Sequence, residues 1–584
     1  IELMTHLVFD PLKNQIPAII TIYDPACGSG GMLTESQNFI EQKYPLPESQ
    51  GERSIFLFGK ETNDETYAIC KSDMMIKGDN PENIKVGSTL ATDSFQGNYF
   101  DFMLSNPPYG KSWSKDQAYI KDGNDVIDSR FKVSLPDYWG NEETLDATPR
   151  SSDGQLLFLM EMVSKMKAPN NKIGSRVASV HNGSSLFTGD AGSGESNIRR
   201  HIIENDLLEA IVQLPNNLFY NTGITTYIWL LSNNKSEARK GKVQLIDASL
   251  LFRKLRKNLG DKNCEFAPEH IAEITQNYLD FTAKARETDS QNEAVGLASQ
   301  IFDNQDFGYY KVTIERPERR SAQFTAENIA SLRFDKALFE PMQYLYQQHG
   351  EQVYNAEYLA KTEPEISAWC EAQGIALNNK NKTKLLDIKT WENAAALFQT
   401  ASTLLEHFGS TQFDDFNQFK QAVENDLKSA KIALSTTEKK AIFNAVSWYN
   451  ESAAKVIAKT LKLKPNELDA LCQRYQCQAD ELADFGYYTT GKAGEYLQYE
   501  TSSDLRDSES IPLKQNIHDY FKAEVQPHIS EAWLNMESVK IGYEISFNKY
   551  FYRHKPLRSL AEVAQDILEL EKQADGLISE ILEA

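Results

Sequence analysis

The stretch DPACGSGGML, residues 24–33, follows the apolar run IPAIITIY, residues 16–23, and decides the fold. An acid ends a buried strand here, and Gly28, Gly30 and Gly31 then open a helix. Glycine lets the backbone approach a ligand closely, and the start of a helix directs free amides at it. The spacing matches neither the dinucleotide fingerprint nor the phosphate loop. A glycine-rich turn without a ligand is the alternative interpretation.

The first half of the chain continues as alternating strands and helices. Short apolar runs recur in IFLFGKE (55–61), FDFMLSN (100–106), RVASVHN (176–182), LEAIVQL (208–214), TTYIWLLSN (225–233) and KVQLIDAS (242–249). Such runs, separated by helices, predict a mostly parallel sheet that is covered on both faces. We therefore predict an α/β fold with a doubly wound, Rossmann-like sheet, in which ligands bind at the carboxyl ends of the strands.

Glu61 ends the second of these runs. In doubly wound folds an acid at this position commonly accepts hydrogen bonds from ribose hydroxyls. Its separation from Asp24 exceeds the usual spacing of about 20 residues, but the loop before Arg53 contains Pro and Gly and can absorb the excess. A solvated acid at a helix start is the alternative.

The segment SNPPYG, residues 105–110, leaves the next run through an amide, two prolines and an aromatic ring. Pro107 and Pro108 lack N–H groups and hold the backbone extended. The Asn106 side-chain oxygen and the Pro107 carbonyl can therefore accept the two protons of one exocyclic amino group. Tyr109 supplies a flat ring on which a planar heterocycle can stack. The segment indicates an amine-binding pocket, with a plain Asn-Pro turn as the alternative.

Composition limits the classes of protein to consider. The 584 residues predict two or three domains. The formal net charge of -22 is a poor basis for binding DNA unaided, so we expect a basic partner to supply much of that affinity. Six cysteines without a C-x-x-C pair favour neither a zinc ribbon nor a disulfide framework. The longest apolar run has about eight residues where a membrane span needs roughly 20, so we expect a soluble, cytoplasmic protein.

DPACGSGGML followed by NPPY resembles the gamma-class amino-methyltransferases that use S-adenosylmethionine. The chain is more similar still to the adenine-specific methylation subunit of type I restriction-modification systems. That resemblance extends through VASVHNGSSLF (177–187), LPNNLFYNTGITTYIWLLSNNK (214–235) and WLNMESVKIGYEISFNKYFYRHKPLR (533–558). It covers nearly the whole chain and is weakest between about residues 335 and 500.

The resemblance implies S-adenosylmethionine as the cofactor and implies no metal. Asn106, Pro107 and Tyr109 would bind the flipped-out adenine and act as the catalytic residues. Phe219 would stack on the other face of that base, with Tyr220 as the less favoured candidate and ordinary core filling as the alternative for both. The cofactor-binding residues implied are Asp24, Ala26, Gly28, Ser29, Gly30, Glu61 and Asp93.

Two departures from the family pattern affect the cofactor site. Family members usually carry an acid in the segment that here reads GSTL (87–90), where this chain has Ser88, with Asp93 further on. The family's F-x-T-P-like segment and N-terminal helical domain would precede Ile1, so we expect further sequence upstream.

We predict four regions: a catalytic domain (1–252), a connecting segment packed on it (253–335), a helical accessory region (336–505) and a C-terminal helical tail (506–584). TWENAAALFQTASTLLEHF (390–408) and ESAAKVIAKTLKL (451–463) read as helices, and NNKNKTK (378–384) reads as a loop. The accessory region is a scaffold, or it contacts DNA or a partner. In the tail, alternating steps of three and four predict a seam between helices, formed by Leu560, Val563, Ile567, Leu570, Ala574, Leu577 and Ile581.

The resemblance also implies the partners of the chain. They are double-stranded DNA, a DNA-specificity subunit held by the C-terminal helices, a second copy of the chain and a restriction subunit, with no membrane. An intramolecular seam is the alternative for the tail. The basic clusters RKLRKNLGDK (253–262) and RPERR (316–320) are solvated faces or lie where phosphates pass.

The leading hypothesis is a DNA adenine-N6 methyltransferase subunit whose target sequence is chosen by another polypeptide. A protein glutamine methyltransferase is one alternative, since it can also use an NPPY site, although it would not explain the long second half. A non-catalytic subunit that binds cofactor or DNA is the other.

Overall fold

The computed structural model describes residues 1–47, 51–168, 173–290, 294–551, 560, 563–570 and 572. The chain divides into two compact units. The first contains Ile1–Tyr310, Pro512–Lys514 and the described residues from Lys540 onward, and the second contains Lys311–Ile511 and Gln515–Val539. The four predicted regions do not coincide with these units, since 253–335 and 506–584 each contain residues of both, and the regions stay a prediction.

A nine-stranded sheet organises the first unit. In chain order its strands are β1 (Ile19–Asp24), β2 (Ser54–Glu61), β3 (Ile84–Val86), β4 (Phe102–Ser105), β5 (Arg176–Asn182), β6 (Leu208–Gln213), β7 (Thr226–Ser232), β8 (Lys242–Asp247) and β9 (Ala298–Asp303). Their order across the sheet is β9-β8-β6-β7-β5-β4-β1-β2-β3. All neighbours are parallel except that β7 is antiparallel to β5 and β6, and β9 is antiparallel to β8. The predicted mostly parallel sheet is confirmed.

Helices cover both faces of the sheet, as the doubly wound prediction requires. Alternation along β4 shows the two faces, since Phe102 and Leu104 enter one buried core while Met103 enters the other. The first core contains side chains of α1 (Glu2–Phe9), α2 (Gly31–Lys43), α3 (Asp64–Lys77) and α6 (Pro268–Asp280). The second core contains side chains of α4 (Gln155–Ser164) and α5 (Gly194–Glu204).

The strand order places a crevice at the carboxyl ends of β1 and β4. β2 and β3 extend the sheet on one side of β1, and β4 begins the other side. Ligands of open α/β sheets bind where the order reverses in this way. Because these strands are parallel, Asp24, Glu61 and Ser105 end at the same edge.

A segment near the end of the described chain completes the second core of the first unit. Tyr543, Ile545 and Phe547 are buried there. The Arg199 guanidinium in α5 donates to the Tyr543 carbonyl at 2.6 Å, and the Tyr543 amide donates to the Ser196 hydroxyl at 3.0 Å. A short helix, Phe547–Phe551, follows. The first unit is therefore built from both ends of the described chain.

Smaller elements of the first unit include the helices Gln117–Ile120 and Ser184–Phe187 and four two-stranded ribbons. The ribbons pair Lys121–Asp122 with Asp125–Val126, Lys132–Pro136 with Glu142–Asp146, Arg253–Leu259 with Lys262–Glu265, and Glu287–Thr288 with Ala294–Val295. Strands Gly308–Glu315 and Trp533–Tyr543 carry the chain between the units.

The second unit is mainly helical. Its helices are Ala326–Ala330, Phe339–His349, Ala356–Lys361, Glu363–Gln373, Asn379–Leu386, Ile388–Phe408, Phe416–Ser429, Thr436–Val446, Pro465–Tyr475 and Ile517–Tyr520. Short strands accompany them at Arg320–Gln323, Gln412–Phe413, Ser447–Tyr449, Ile457–Lys462, Tyr488–Thr489, Glu495–Tyr499 and Asp507–Pro512. The helix expected at 390–408 is confirmed.

Two local predictions in the second unit were wrong. The segment 451–463 is not a helix, because Ile457–Lys462 pairs in antiparallel fashion with Glu495–Tyr499. The segment 378–384 is not a loop, because Asn378 accepts a hydrogen bond from the Asn381 amide at 2.8 Å and so caps a helix over Asn379–Leu386. Leu385 in that helix is fully buried, which explains its stability despite a polar sequence.

Part of the predicted C-terminal seam lies outside the described residues, namely Ala574, Leu577 and Ile581. Residues 563–570 are helical, and the side chains of Val563, Ile567 and Leu570 are exposed there. A partner for this face stays a prediction. In the described part of the chain, no helix is both long and apolar enough to cross a membrane.

Candidate active site

A cavity of about 930 Å³ lies at the carboxyl ends of β1, β2 and β4. Ala26 and Glu61 from the predicted cofactor site line it, together with the predicted amine-binding segment Asn106, Pro107 and Tyr109. Further lining comes from several loops and includes Pro25, Ser88, Thr89, Leu90, Lys111, Trp113, Asn182, Asn221, Thr222 and Ile224. One cavity thus joins the two motifs that the sequence singled out.

Asp24 connects β1 to β4 at the edge of the sheet. Its carboxylate accepts hydrogen bonds from the Ala26 amide at 2.9 Å and from the Ser105 hydroxyl at 2.7 Å. The residue is only 2% exposed, and burial raises its pKa to about 7 although these hydrogen bonds oppose the shift. Asp24 itself is not among the lining residues, so its carboxylate fixes the turn that carries Ala26.

The turn after Asp24 needs glycine at two positions. Gly28 and Gly30 have φ angles of +54° and +87°, which residues with a Cβ rarely adopt. A Cβ on Gly30 would lie 2.9 Å from the Cys70 sulfur. Gly28, Ser29 and Gly30 form this turn but are not among the residues that line the cavity.

Cys27 packs in the core beside this turn. Contact with the Cys70 thiol, together with burial, raises the pKa of the Cys27 thiol. A buried thiol of raised pKa is a poor nucleophile, so Cys27 acts as a packing residue of this core.

Glu61 is held rigidly at the edge of the cavity. One carboxylate oxygen accepts from the Gly28 amide at 3.0 Å, and the other accepts from the Asn63 amide at 2.8 Å. Each oxygen keeps a further lone pair, so the side chain can still accept two hydroxyl protons from a ligand. The geometry is suited to the ribose contact predicted for Glu61.

The GSTL segment forms another wall of the cavity. The Ser88 hydroxyl accepts from the Leu90 and Ala91 amides at 3.2 and 3.3 Å and so fixes a tight turn. Asp93 is not brought to the cavity. It pairs instead with the Lys165 ammonium at 2.5 Å and accepts from the Phe95 amide. Ser88 therefore lines the cavity, whereas Asp93, which we predicted as a cofactor-binding residue, does not.

A buried ionic network supports this wall and was missed in the sequence. The Arg130 guanidinium donates to the Thr89 and Leu90 carbonyls at 2.8 and 3.0 Å. It also pairs with the Glu161 carboxylate at 2.9 Å, and that carboxylate accepts from the Tyr23 hydroxyl at 3.1 Å. A signal was available, because Glu161 is the one acid within the apolar run LLFLMEMV (156–163).

The NPPY segment presents two unused acceptors. Asn106 is exposed, and within the described part of the chain neither its side chain nor the Pro107 carbonyl has a hydrogen-bond partner. Tyr109 is half-buried, and burial raises the pKa of its hydroxyl. Both acceptors are therefore available to a ligand.

A second network, also missed in the sequence, holds the backbone after this segment. One Asp153 oxygen accepts from the Gly110 amide at 3.0 Å, and the other accepts from the Gln155 and Ser184 side chains at 2.7 and 2.9 Å. Gln155 also donates to the side-chain oxygen of Asn182, a lining residue, at 2.7 Å. The sequence offers only a weak signal, the SSDGQ segment (151–155) that precedes α4.

The aromatic residues after β6 do not reach the cavity. Phe219 is half-buried and packs against the first core, and Tyr220 is 65% exposed. The same loop lines the cavity with Asn221, Thr222 and Ile224 instead. Stacking by Phe219 stays a prediction that this geometry does not support directly.

One known protein family matches the part of the chain that contains this cavity. The N-6 DNA methylase family matches residues 1–319, more than half of the chain and the whole of the cavity.

The chain belongs to the N-6 DNA methylase family.

The chain is also similar to methylase subunits of type I restriction enzymes. The chain is 28% identical over 293 residues to the type I restriction enzyme MjaIX methylase subunit of Methanocaldococcus jannaschii, covering 50% of this chain and 46% of that protein. It is 30% identical over 230 residues to the HindI methylase subunit of Haemophilus influenzae, covering 39% of this chain and 44% of that protein. The chain spans about half of the length of these relatives.

Two solved structures match about half of the chain. The type I restriction-modification methyltransferase subunit of Streptococcus thermophilus is 23% identical, with a TM-score of 0.39, over 52% of this chain and 55% of that one. The type I restriction enzyme EcoKI M protein is 17% identical, with a TM-score of 0.35, over 52% of this chain and 62% of that one.

Proposed function

We propose that this member of the N-6 DNA methylase family is the methylating subunit of a type I restriction-modification complex. It transfers a methyl group from S-adenosylmethionine to N6 of a flipped-out adenine in DNA. The observation that carries the proposal is the shared cavity, in which Glu61 and Ser88 lie in the same space as Asn106, Pro107 and Tyr109.

The residues of the cavity fit S-adenosylmethionine. The cavity volume of about 930 Å³ lies in the upper part of the range of small-molecule sites, so the cavity can hold a nucleoside cofactor and a second base together. Glu61 offers fixed acceptors for ribose hydroxyls, and Leu90 and Pro25 offer apolar surface. When bound, the cofactor supplies an electrophilic methyl group.

The chain's own groups prepare the target amine. Adenine N6 is a weak nucleophile because its lone pair is delocalised into the ring. The Asn106 oxygen and the Pro107 carbonyl each accept a hydrogen bond from one N6–H group, which makes the nitrogen more tetrahedral and richer in electrons, and the single proton that N6 loses on methylation passes to solvent. Tyr109 stacks on the base and fixes its plane. These residues position the reactants and stabilise developing charge, without a covalent intermediate on the protein.

The base must leave the duplex before it reaches these acceptors. Flipping costs roughly a few kcal/mol, which contacts to the extrahelical base and its flanking phosphates offset. The exposed position of Asn106 at the cavity edge is consistent with entry of a base from outside.

The proposed partners follow from the relatives and from charge. Relatives are methylase subunits of type I restriction enzymes, so we assign sequence choice to a separate specificity subunit. A second copy of the chain and a restriction subunit complete the proposed complex. The net charge of -22 is consistent with a basic partner that shares DNA binding.

The test is a genome-wide map of N6-methyladenine in the native host, comparing the wild-type gene with Asn106→Ala. We expect methylation at one defined motif to disappear in the variant. Asn98→Ala, at another exposed asparagine outside the cavity lining, is the matched control and should leave the map intact. If the Asn106→Ala strain keeps a wild-type map while it expresses the protein, the DNA function fails and glutamine methylation is tested next.

A further inference from the structure

The ribbon formed by Arg253–Leu259 and Lys262–Glu265, here called the basic hairpin, concentrates positive charge on an acidic chain. Lys254, Arg256 and Lys257 are exposed, and in the part of the chain that the structure describes none of them forms an ion pair. Arg253 on the same hairpin is different, because it pairs with Glu265 at 2.6 Å. Three cations are therefore available to an external anion.

The other basic cluster of the sequence, RPERR (316–320), lacks this property. Arg319 pairs with Glu531 at 2.6 Å, and Arg320 pairs with Glu318 at 3.3 Å. Acids within the chain thus neutralise two of the three arginines of that cluster, and the third, Arg316, is half-buried. The contrast shows that a run of basic residues alone does not predict free charge.

The basic hairpin is fastened to the loop that lines the target side of the cavity. The Asp261 amide donates to the Tyr220 carbonyl at 3.0 Å, and the Lys262 ammonium donates to the Leu218 carbonyl at 3.0 Å. The Asn263 amide donates to the Asn217 carbonyl, also at 3.0 Å. The next residues of that loop, Asn221 and Thr222, line the cavity.

The turn of the hairpin is shaped for this contact. Gly260 has a φ of +63°, and a Cβ at this position would lie 2.4 Å from the Tyr220 carbonyl oxygen. Glycine is therefore required for the close approach of the two backbones. The hairpin and the lining loop form one fixed structure.

We infer that the basic hairpin binds backbone phosphates of the duplex beside the adenine in the cavity, through Lys254, Arg256 and Lys257. This inference rests on the proposed function, because it requires DNA as the substrate. Contacts of this kind position a duplex without reading its sequence, and they release condensed counterions. They suit a subunit whose target sequence is chosen by a separate polypeptide.

The test is the salt dependence of DNA affinity. The complex is purified from its host, and the DNA is an unmethylated duplex that contains the motif methylated by the complex. The triple variant Lys254→Gln, Arg256→Gln, Lys257→Gln removes the free cations. Each phosphate contact contributes about 0.9 to the slope of log affinity against log salt. We expect the slope to fall by about three if each cation makes one contact, with unchanged affinity for S-adenosylmethionine.

Two control variants separate charge from structure. Arg253→Gln with Glu265→Gln removes a neutral pair from the same hairpin and should keep the wild-type slope. Lys254→Arg, Arg256→Lys, Lys257→Arg retains all three charges and should keep it as well. A loss of slope in either control would overturn the inference.

The outcomes for the triple glutamine variant are equally distinct. If the triple variant keeps the wild-type slope, and the wild-type complex methylates DNA, the inference is overturned and the proposed function stands. An unchanged slope with loss of another subunit from the complex also overturns it and assigns the hairpin to a protein interface. A wild-type complex that neither binds nor methylates DNA overturns the proposed function itself.

Discussion

The two halves of the cavity are built differently. The proposed cofactor half, formed by Ala26, Glu61 and residues 87–90, is supported by a buried ion pair, with the Arg130 and Glu161 side chains only 6% and 2% exposed. The proposed target half, formed by Asn106–Tyr109, Asn221, Thr222 and Ile224, is open, since Asn106 is exposed and Ile224 is 47% exposed. Its backbone is held mainly by hydrogen bonds to Asp153 and to the basic hairpin.

This difference predicts that one half affects stability and cofactor binding, and that the other affects the rate of methyl transfer. The supports of the cofactor half are part of the folded core, so substitutions there should reduce stability as well as binding. The target half must admit a base from outside, and an open wall contributes little buried surface. Substitutions there should change the rate of methyl transfer while the fold persists. Three predictions test this contrast.

The largest effect is expected from Arg130→Met in the cofactor half. The variant leaves Glu161 buried without its ionic partner and frees the Thr89 and Leu90 carbonyls. Breaking a buried pair in this way costs about 3–5 kcal/mol. We expect urea unfolding to show that loss, and calorimetry to show weaker binding of S-adenosylmethionine.

The double variant Arg130→Met, Glu161→Gln is its control. A neutral glutamine can still accept the Tyr23 hydrogen bond, so part of the lost stability should return. A loss below about 1 kcal/mol in the single variant, the size expected for a surface pair, would contradict the buried-network account.

The next effect is a pH dependence that Asp24→Asn should remove. In the fold the pKa of Asp24 is about 7, above its ordinary value of 3.8. The contribution of Asp24 to the free energy of unfolding is therefore fully present below about pH 4 and is lost as the pH rises to about 7. One proton changes stability by at most about 1.4 kcal/mol per pH unit. Asparagine keeps the oxygen that Ala26 and Ser105 contact.

The measurement is the free energy of unfolding of both proteins, without cofactor, across that window. The wild-type value should fall relative to the Asp24→Asn value as the pH rises. Parallel profiles would show that Asp24 is already ionised at the lower pH and is not desolvated as the structure indicates.

The smallest effect is expected from Asp153→Asn in the target half. The new amide would face the Gln155 and Ser184 donors, so the support of Gly110 weakens while most of the core is untouched. We expect methyl transfer to slow about tenfold, equivalent to about 1.4 kcal/mol, with unchanged S-adenosylmethionine affinity. Single-turnover kinetics and calorimetry measure the two quantities.

Ser184→Ala removes only one of the donors to Asp153 and should slow methyl transfer less. If Asp153→Asn instead weakened cofactor binding as much as it slowed methyl transfer, the two halves of the cavity would not be independent.

The sequence predicted the sheet and much of the cavity for a definite reason. Asp24, Glu61 and Asn106 each follow an apolar run, and the carboxyl ends of parallel strands meet at one edge. A local pattern therefore carries three-dimensional information. Arg130 and Asp153 could not be found in this way, because each supports the site through a group distant in sequence, Arg130 through Glu161 and Asp153 through Gly110, and no periodicity connects these pairs.

Two residues that we predicted at the site, Asp93 and Phe219, do not line the cavity. Asp93 lies close in sequence to GSTL, but it pairs with Lys165, which approaches it only through the folding of α4 against the sheet. Phe219 lies in the correct loop but packs against the core. In the second unit, the strand Ile457–Lys462 depends on pairing with Glu495–Tyr499, and local sequence does not reveal a distant partner.

The return of Tyr543, Ile545 and Phe547 to the second core has a consequence for synthesis. A ribosome produces the nine strands of the sheet early, but the residues that finish covering one of its faces emerge only after the second unit has been made. The nascent sheet therefore carries uncovered apolar surface throughout that interval, a condition that favours aggregation and chaperone binding. A fragment cut to the family-matched residues 1–319 would keep that surface permanently and is a poor choice for expression.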